Sequence, residues 1–266
     1  MKPSLIKMNF FETYYYANVI NNVLNNAMAY SRSLHEWHED QAVELLLQPF
    51  QKWSVLHSFS YFIIEDIIYE NIEKSDSNEV LWVEHAFHHH RLDVESFKEW
   101  LIRTGSDRND INAIGDYHSE LRMTGWLELL IENMVNEVFL ILFSNRQLLQ
   151  NLNEYVAGIV SFIQISELDE NQVNYLNKDG IPKRAKIPEW VKRAVFFRDR
   201  GRCVSCSLDI SNLVSLQSSK HFDHMVPLAR GGINDVTNIQ LMCEKCNLMK
   251  GKKDFKTSKM YEPWYV

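Results

Sequence analysis

The sequence predicts an α+β protein of two domains, an N-terminal all-α helical bundle followed by a small domain with two strands and a helix. Three observations support this prediction. Residues 1–177 contain few glycines and prolines and space their apolar residues as helices do, the net charge changes sign near residue 178, and all four cysteines lie beyond that point. The predicted ranges are 1–177 for the helical domain, 178–187 for a linker and 188–266 for the second domain.

The first 177 residues favour helices throughout. They hold four glycines and two prolines. Segments such as 59–69 and 126–139 place apolar residues at positions i, i+3, i+4 and i+7 between acidic ones. We expect five to seven helices packed as a bundle, with breaks near residues 74–78 and 105–109.

Charge divides the chain into an acidic part and a basic part. Residues 1–177 have 11 Lys/Arg against 26 Asp/Glu, a net charge of −15, and residues 178–266 have 17 against 9, a net charge of +8. DNA would repel the first part and attract the second. The change coincides with the polar segment 177–186, which contains Gly180 and Pro182 and predicts the domain boundary.

Several classes of protein are excluded or disfavoured. No apolar run approaches the roughly 18 residues of a membrane-spanning helix, and the N-terminus lacks the apolar core of a signal peptide, so we expect a cytoplasmic protein with no membrane association. The helical part has no Glu-x-x-His pair, which excludes a di-iron carboxylate bundle. Arg32 and His38 match the loose Arg-x5-His spacing of helical HEPN ribonucleases, a spacing that arises readily by chance.

The cysteines form two Cys-x-x-Cys pairs separated by 36 residues, Cys203 with Cys206 and Cys243 with Cys246. In a reducing cytoplasm this arrangement is typical of a structural Zn²⁺ with four cysteine ligands rather than of disulfides. Four buried thiols without a metal are the alternative.

The elements of the second domain follow in order from the sequence pattern. A short helix starts near Pro188, with an apolar stripe over residues 190–195, and Gly201 can close it. Residues 221–226 are predicted to form a strand, 227–235 a loop with a Gly-Gly turn, and 238–242 a returning strand. A helix follows from residue 244 to about residue 251.

Polar residues lie at fixed positions on these elements: Asp223 and His224 on the first strand, Asn238 at the second and Asn247 on the helix, framed by RGRCVSC and CEKCNLMKGKK. In this order and spacing, residues 186–256 resemble the HNH endonuclease family, in the branch with a four-cysteine zinc. The resemblance implies a ββα-metal fold and metal-dependent hydrolysis of DNA. The third motif position is Asn247 rather than His, which changes a ligand atom from nitrogen to oxygen.

The resemblance and the chemistry of phosphodiester hydrolysis together assign catalytic roles to these four residues. His224 is the expected general base, because a neutral imidazole accepts a proton near physiological pH. Asp223 and Asn247 offer oxygen ligands for a catalytic Mg²⁺ or Mn²⁺, and Asn238, by resemblance, holds the backbone of His224. Because neighbouring strand residues face opposite sides, we expect a bend where Asp223 and His224 converge.

Basic residues on either side of this site are expected to contact DNA phosphates. They are Arg230, Lys250, Lys252, Lys253, Arg193, Arg198 and Arg200. One active site nicks one strand, so a double-strand break needs a homodimer or two separate events.

The acidic helical domain predicts a protein partner, a sensing role or restraint of the nuclease. Effectors of bacterial anti-phage and mobile-element systems join domains in this way, which is an analogy of organisation. Two alternatives stay open. One is a zinc-stabilised nucleic-acid-binding module that acts as a scaffold or regulatory subunit, and the other is an RNA-cleaving nuclease.

Overall fold

A computed structural model describes residues 5–39, 43–73, 81–110, 112–212, 221–251 and 254–263. This part of the chain is mostly helical and contains two small antiparallel sheets of two strands each. No helix within these ranges has the length and apolar character needed to span a bilayer. The described residues thus combine helices with short strands and are rich in helix, as predicted.

The helices and strands have the following bounds in the described residues. The helices are α1 (Thr13–Asn25), α2 (Ser31–Glu39), α3 (Val43–Leu47), α4 (Val55–Glu73), α5 (Trp82–His90), α6 (Phe97–Thr104), α7 (Ala113–Met123), α8 (Trp126–Leu142), α9 (Arg146–Val160), α10 (Glu189–Arg198) and α11 (Glu244–Lys250). The strands are β1 (Leu176–Lys178), β2 (Ile181–Pro182), β3 (Phe222–His224) and β4 (Ile239–Leu241).

Nine of these helices in the described ranges precede residue 161, whereas the sequence predicted five to seven. The difference comes from short helices whose ends depend on local capping rather than on apolar spacing. Helix α6, for example, begins at a capping box of Ser96 and Glu99 and ends at Gly105, which has a φ of +73°. The predicted break near 105–109 is present, and that near 74–78 lies outside the described residues. The packing of these helices as a bundle stays a prediction.

The described residues form two compact units. The first is built from Met1–Ile20 and Phe59–Leu140, and the second from Asn21–Ser58 and Ile141–Val266. The second unit thus combines the predicted C-terminal domain with segments of the predicted helical domain. The units do not divide the chain at residues 178–187, and the predicted ranges, taken as domains with separate functions, stay a prediction.

Within the second unit, helix α9 packs directly against the C-terminal part of the chain. Asn153 is fully buried, and its Nδ2 donates a hydrogen bond to Thr237 Oγ1 at 3.1 Å. Gly231 has a φ of +80°, and a Cβ at this position would lie 2.6 Å from the carbonyl oxygen of Ala157 in α9. The loop and the helix backbone therefore approach so closely that only glycine fits.

Residues 50–55 contact the same part of the second unit. The N–H of Phe50 donates to the carbonyl oxygen of Asn234 at 2.7 Å. The N–H of Val55, at the start of α4, donates to Asp235 Oδ2 at 3.2 Å. The Asp235 carboxylate is buried, which raises its pKa, and it satisfies one of the backbone donors that a helix leaves free at its N-terminus.

The predicted linker is partly folded. Strand β1 pairs with β2, with Leu176 opposite Pro182, and the N–H of Gly180 in the turn donates to the carbonyl oxygen of Ile163 at 2.9 Å. Residues 176–182 therefore form a small hairpin rather than a free connection.

The C-terminal part has the predicted order of strand, strand and helix. β3 pairs antiparallel with β4, and His224 lies opposite Ile239. Between the strands, the segments Leu228–Arg230 and Val236–Asn238 form 3-10 helices where the sequence predicted a loop and the start of a strand. Helix α10 begins directly after Pro188, as its sequence predicts.

Candidate functional site

The four cysteines lie side by side. The Sγ atoms of Cys203, Cys206, Cys243 and Cys246 are all within 4.8 Å of one another. The Sγ atoms of Cys206 and Cys243 are 3.8 Å apart. A tetrahedral ion with metal–sulfur bonds of about 2.3 Å requires sulfur–sulfur distances of about 3.8 Å. The residues therefore fit one metal ion, as predicted.

Both cysteine pairs are attached to the ββα core. In the first pair, the N–H of Val204 donates to the carbonyl oxygen of Leu241 in β4 at 2.9 Å. In the second pair, Cys243 is the N-cap of α11. An ion held by all four sulfurs would therefore join the sheet to the helix that follows it.

A cavity of about 390 Å³ lies beside this core. Asp223 and His224 of β3 and Asn247 of α11 line it together, which brings three of the four predicted catalytic residues to one place. The chain bends at Met225 and Val226, directly after β3. Asp223 and His224 face the same cavity although they are neighbours on a strand.

Asp223 is held at the cavity by two partners. Lys250 Nζ lies 2.9 Å from Asp223 Oδ2, and Gln240 Nε2 donates to the same oxygen at 3.3 Å. Lys250 Nζ also donates to the carbonyl oxygen of His224 at 2.6 Å. Among the described residues both contacts use Oδ2, so Oδ1 remains for a ligand.

The ring of His224 is almost fully buried, with 2% of its surface exposed. Desolvation, together with the positive charges of Arg184 and Lys250, lowers the pKa of His224 to about 3, against the opposing effect of the Asn234 side chain. The imidazole is therefore neutral at physiological pH, and without an anionic group beside it the ring binds a proton only weakly. Neither ring nitrogen has a well-aligned hydrogen bond to the described residues.

Asn238 fixes the bend that follows β3. It is fully buried. Its Oδ1 accepts from the N–H of Val226 at 2.9 Å, and its Nδ2 donates to the carbonyl oxygens of Val226 (3.0 Å) and Ile233 (2.9 Å). The expected bond to the backbone of His224 is not the one formed, because His224 is paired in the sheet and its carbonyl oxygen is taken by Lys250. Asn238 acts two residues further along.

The four cysteines, the ββα elements and the cavity residues Asp223, His224 and Asn247 all fall within one stretch of the chain. Residues 203–253 match the family model described as HNH endonuclease. The match begins at Cys203 and includes all four cysteines, Asn238 and the three cavity residues, which confirms the predicted resemblance. Comparisons with curated proteins and with solved structures find no match.

Two basic residues of the predicted DNA contacts are used inside the protein. The side chain of Arg198 is 1% exposed, and its Nε and Nη2 donate to the two carboxylate oxygens of Asp199 at 2.9 and 2.8 Å. Lys250, on the last turn of α11, is 5% exposed and contacts both the carboxylate of Asp223 and the carbonyl oxygen of His224. Neither side chain reaches the surface, so we leave both out of the proposed DNA interface.

Three other predicted DNA contacts around the HNH segment are exposed. Arg193 Nη2 lies 3.9 Å from Glu189 Oε2 on the same helix. Arg200 donates to the carbonyl oxygen of Glu262 at 3.0 Å, and the guanidinium of Arg230 lies 5.6 Å from the ring centre of Phe255. The remaining two, Lys252 and Lys253, lie outside the described residues.

Sequence reasoning missed two residues beside the HNH cavity. Arg184 lines the cavity although it precedes the matched segment and falls in the predicted linker. Asn234, in the loop after the Gly-Gly turn, hydrogen-bonds on both sides of Arg184. The only signal in the sequence was the basic run 183–186 directly before Pro188, a pattern that usually marks a solvated segment.

Proposed function

We propose that this protein is a metal-dependent HNH endonuclease that hydrolyses phosphodiester bonds in DNA. The observation that supports this most strongly is that Asp223, His224 and Asn247 line one cavity inside the segment that matches the HNH endonuclease model. The site thus combines a neutral imidazole with two side chains that carry oxygen ligands. A metal-dependent nuclease uses such groups at a single phosphate, the base to activate water and the ligands to hold the ion.

His224 is the proposed general base. A ring nitrogen accepts a proton from the water that attacks the phosphorus, and the bond from phosphorus to the departing 3′ oxygen breaks as the new bond forms. The departing oxygen takes a proton from solvent. Lys250, through the His224 carbonyl oxygen, and Asn238, through the following bend, keep the ring in position.

Asp223 and Asn247 are the proposed ligands of a catalytic Mg²⁺ or Mn²⁺. Carboxylate and carboxamide oxygens suit these hard cations, which also keep several positions for water and phosphate. When bound, such an ion supplies Lewis-acid stabilisation of the charge that develops on the phosphate and the departing oxygen. Lys250 and Gln240 hold the carboxylate of Asp223 in place for this role.

Zn²⁺ is the proposed ion at the four cysteines, with a structural role. The sulfur atoms match a tetrahedral site. All four ligands come from the protein, which is typical of structural rather than catalytic zinc.

The exposed arginines Arg193, Arg200 and Arg230 are the proposed contacts to DNA phosphates, and Lys252 and Lys253 are added from the sequence alone. These contacts position the backbone and carry no sequence preference. The acidic residues before residue 178 oppose DNA binding, so we propose that this part of the chain binds a protein partner or controls the nuclease.

The test is cleavage of supercoiled plasmid by the purified protein in Mg²⁺, with structured RNA as a parallel substrate. We expect nicked or linear plasmid from the wild type. His224→Ala should lower the rate by roughly 10² to 10⁴-fold, the usual contribution of a general base, while metal content and DNA affinity stay close to those of the wild type.

His118→Ala is the matched control. His118 is buried like His224, and desolvation lowers its pKa to about 4, but it lies in the first compact unit. This variant should retain cleavage. Wild-type protein that binds DNA without cutting it would support a scaffold, and cleavage of RNA alone would support the ribonuclease alternative.

A further inference from the structure

The cavity has a basic residue that the HNH motif does not include. Arg184 lines it together with the motif residues Asp223, His224 and Asn247. It comes from the segment between β2 and α10, which lies outside the matched residues 203–253. Its positive charge contributes to the lowered pKa of His224.

The backbone on both sides of Arg184 is fixed by one side chain. Asn234 Nδ2 donates to the carbonyl oxygen of Lys183 at 2.8 Å, and Asn234 Oδ1 accepts from the N–H of Ala185 at 3.3 Å. Asn234 is itself buried, and its carbonyl oxygen accepts from Phe50. The position of Arg184 at the cavity is therefore set by the fold rather than by a free loop.

The guanidinium of Arg184 is available to a ligand. The residue is exposed, and its side chain makes no hydrogen bond or ion pair with any residue that the structure describes. Lys250 differs, because its charge is buried and paired with Asp223. A cation on a fixed backbone, without a carboxylate partner and beside the proposed general base, suits an anionic group of the substrate.

We propose that Arg184 is a catalytic residue that binds the non-bridging oxygens of the scissile phosphate. The inference rests on the proposed nuclease function. A guanidinium offers two parallel N–H donors that match two phosphate oxygens. The charge on these oxygens grows as phosphorus becomes five-coordinate, so the contact strengthens in the transition state and accelerates the reaction.

The experiment compares Arg184→Ala and Arg184→Lys with Lys183→Ala and Lys186→Ala in the full-length protein. The lysine variants remove the same charge from exposed neighbours. We expect Arg184→Ala to lower kcat for plasmid cleavage by about 10² to 10³-fold, the usual loss for one donor to the transition-state oxygens, with a smaller change in KM. Arg184→Lys should retain part of the rate, and added guanidinium ion should partly restore Arg184→Ala.

Several results would overturn the inference. They are a kcat for Arg184→Ala within about threefold of the wild type, an equal loss in either lysine variant, or a loss confined to KM. Metal content and melting temperature show whether each variant folds. If Arg184→Ala does not fold, the comparison of Arg184→Lys with the wild type still tests the inference. Wild-type cleavage no faster than that of His224→Ala would overturn the proposed function itself, and this inference with it.

Discussion

At the scale of single residues, the cavity is lined both by the proposed ligands of the catalytic metal and by side chains with no proposed role. Substitutions can distinguish the two groups. Asp223→Asn and Asn247→Ala should each raise the Mg²⁺ concentration for half-maximal cleavage, by about tenfold or more, because each removes or weakens an oxygen ligand. Titration of the cleavage rate with Mg²⁺ measures the effect. Asn177→Ala is the matched control, since Asn177 lines the same cavity but has no proposed role. Wild-type Mg²⁺ dependence in both ligand variants would place the ion elsewhere.

The sequence predicted the polar residues of the cavity better than the basic ones. The resemblance to HNH endonucleases predicted that Asp223 and His224 on one strand and Asn247 on the helix share a site, and all three line the cavity. Charge alone did not show which cations are buried, because burial depends on a partner that only the folded chain provides. Arg198 forms an ion pair with Asp199, and Lys250 forms one with Asp223. Arg184, which the sequence assigned to the linker, lines the cavity.

At the scale of elements, an ion bound by the cysteine pairs would hold β4 and α11 together, so loss of a cysteine should affect folding before catalysis. Cys243→Ser should lose the metal and lower the melting temperature of the protein, because an ion that binds only the folded state adds its binding free energy to the free energy of unfolding. Metal analysis should find about one zinc per wild-type chain. A Cys243→Ser variant with wild-type zinc content and melting temperature would contradict the four-cysteine site.

Element order in the C-terminal part followed from the sequence, whereas the connections did not. The sequence predicted the two strands and the helix in the order in which β3, β4 and α11 occur, and an apolar stripe over residues 190–195 predicted α10. The 3-10 helices between the strands depend on local hydrogen bonds, such as that from the N–H of Thr237 to Asp235 Oδ1 at 2.8 Å, which no periodic pattern records. The hairpin of β1 and β2 has only five residues in its two strands, too few for a visible alternation.

At the scale of the whole molecule, the close contact between α9 and the HNH segment can be tested with two glycines. Gly231→Ala should lower the free energy of unfolding by at least about 1 kcal/mol, because alanine disfavours a φ of +80° and its Cβ would meet the carbonyl oxygen of Ala157. Gly158 lies in α9, next to Ala157, and has open space at its Cβ position. Gly158→Ala should therefore raise the free energy of unfolding by roughly 0.5–1 kcal/mol. Chemical denaturation of both variants measures the difference, and equal effects would contradict the contact.

The charge switch marked a boundary in composition but not the limits of the compact units. The distribution of acidic and basic residues reflects the solvent and binding partners at each surface. The limits of the compact units depend instead on buried contacts, such as the hydrogen bond between Asn153 and Thr237. Those contacts join residues on both sides of 178–187. Opposite net charge in neighbouring segments therefore does not show that they fold apart.

The hydrogen bond between Val55 and Asp235 joins positions 180 residues apart. Contacts so distant in sequence form late, because a long loop must close before they contribute. During synthesis Val55 leaves the ribosome long before Asp235 is made. The second unit and its cavity therefore assemble only after residues 221–251 have emerged, so a nascent chain that has not yet reached this segment has no complete cavity.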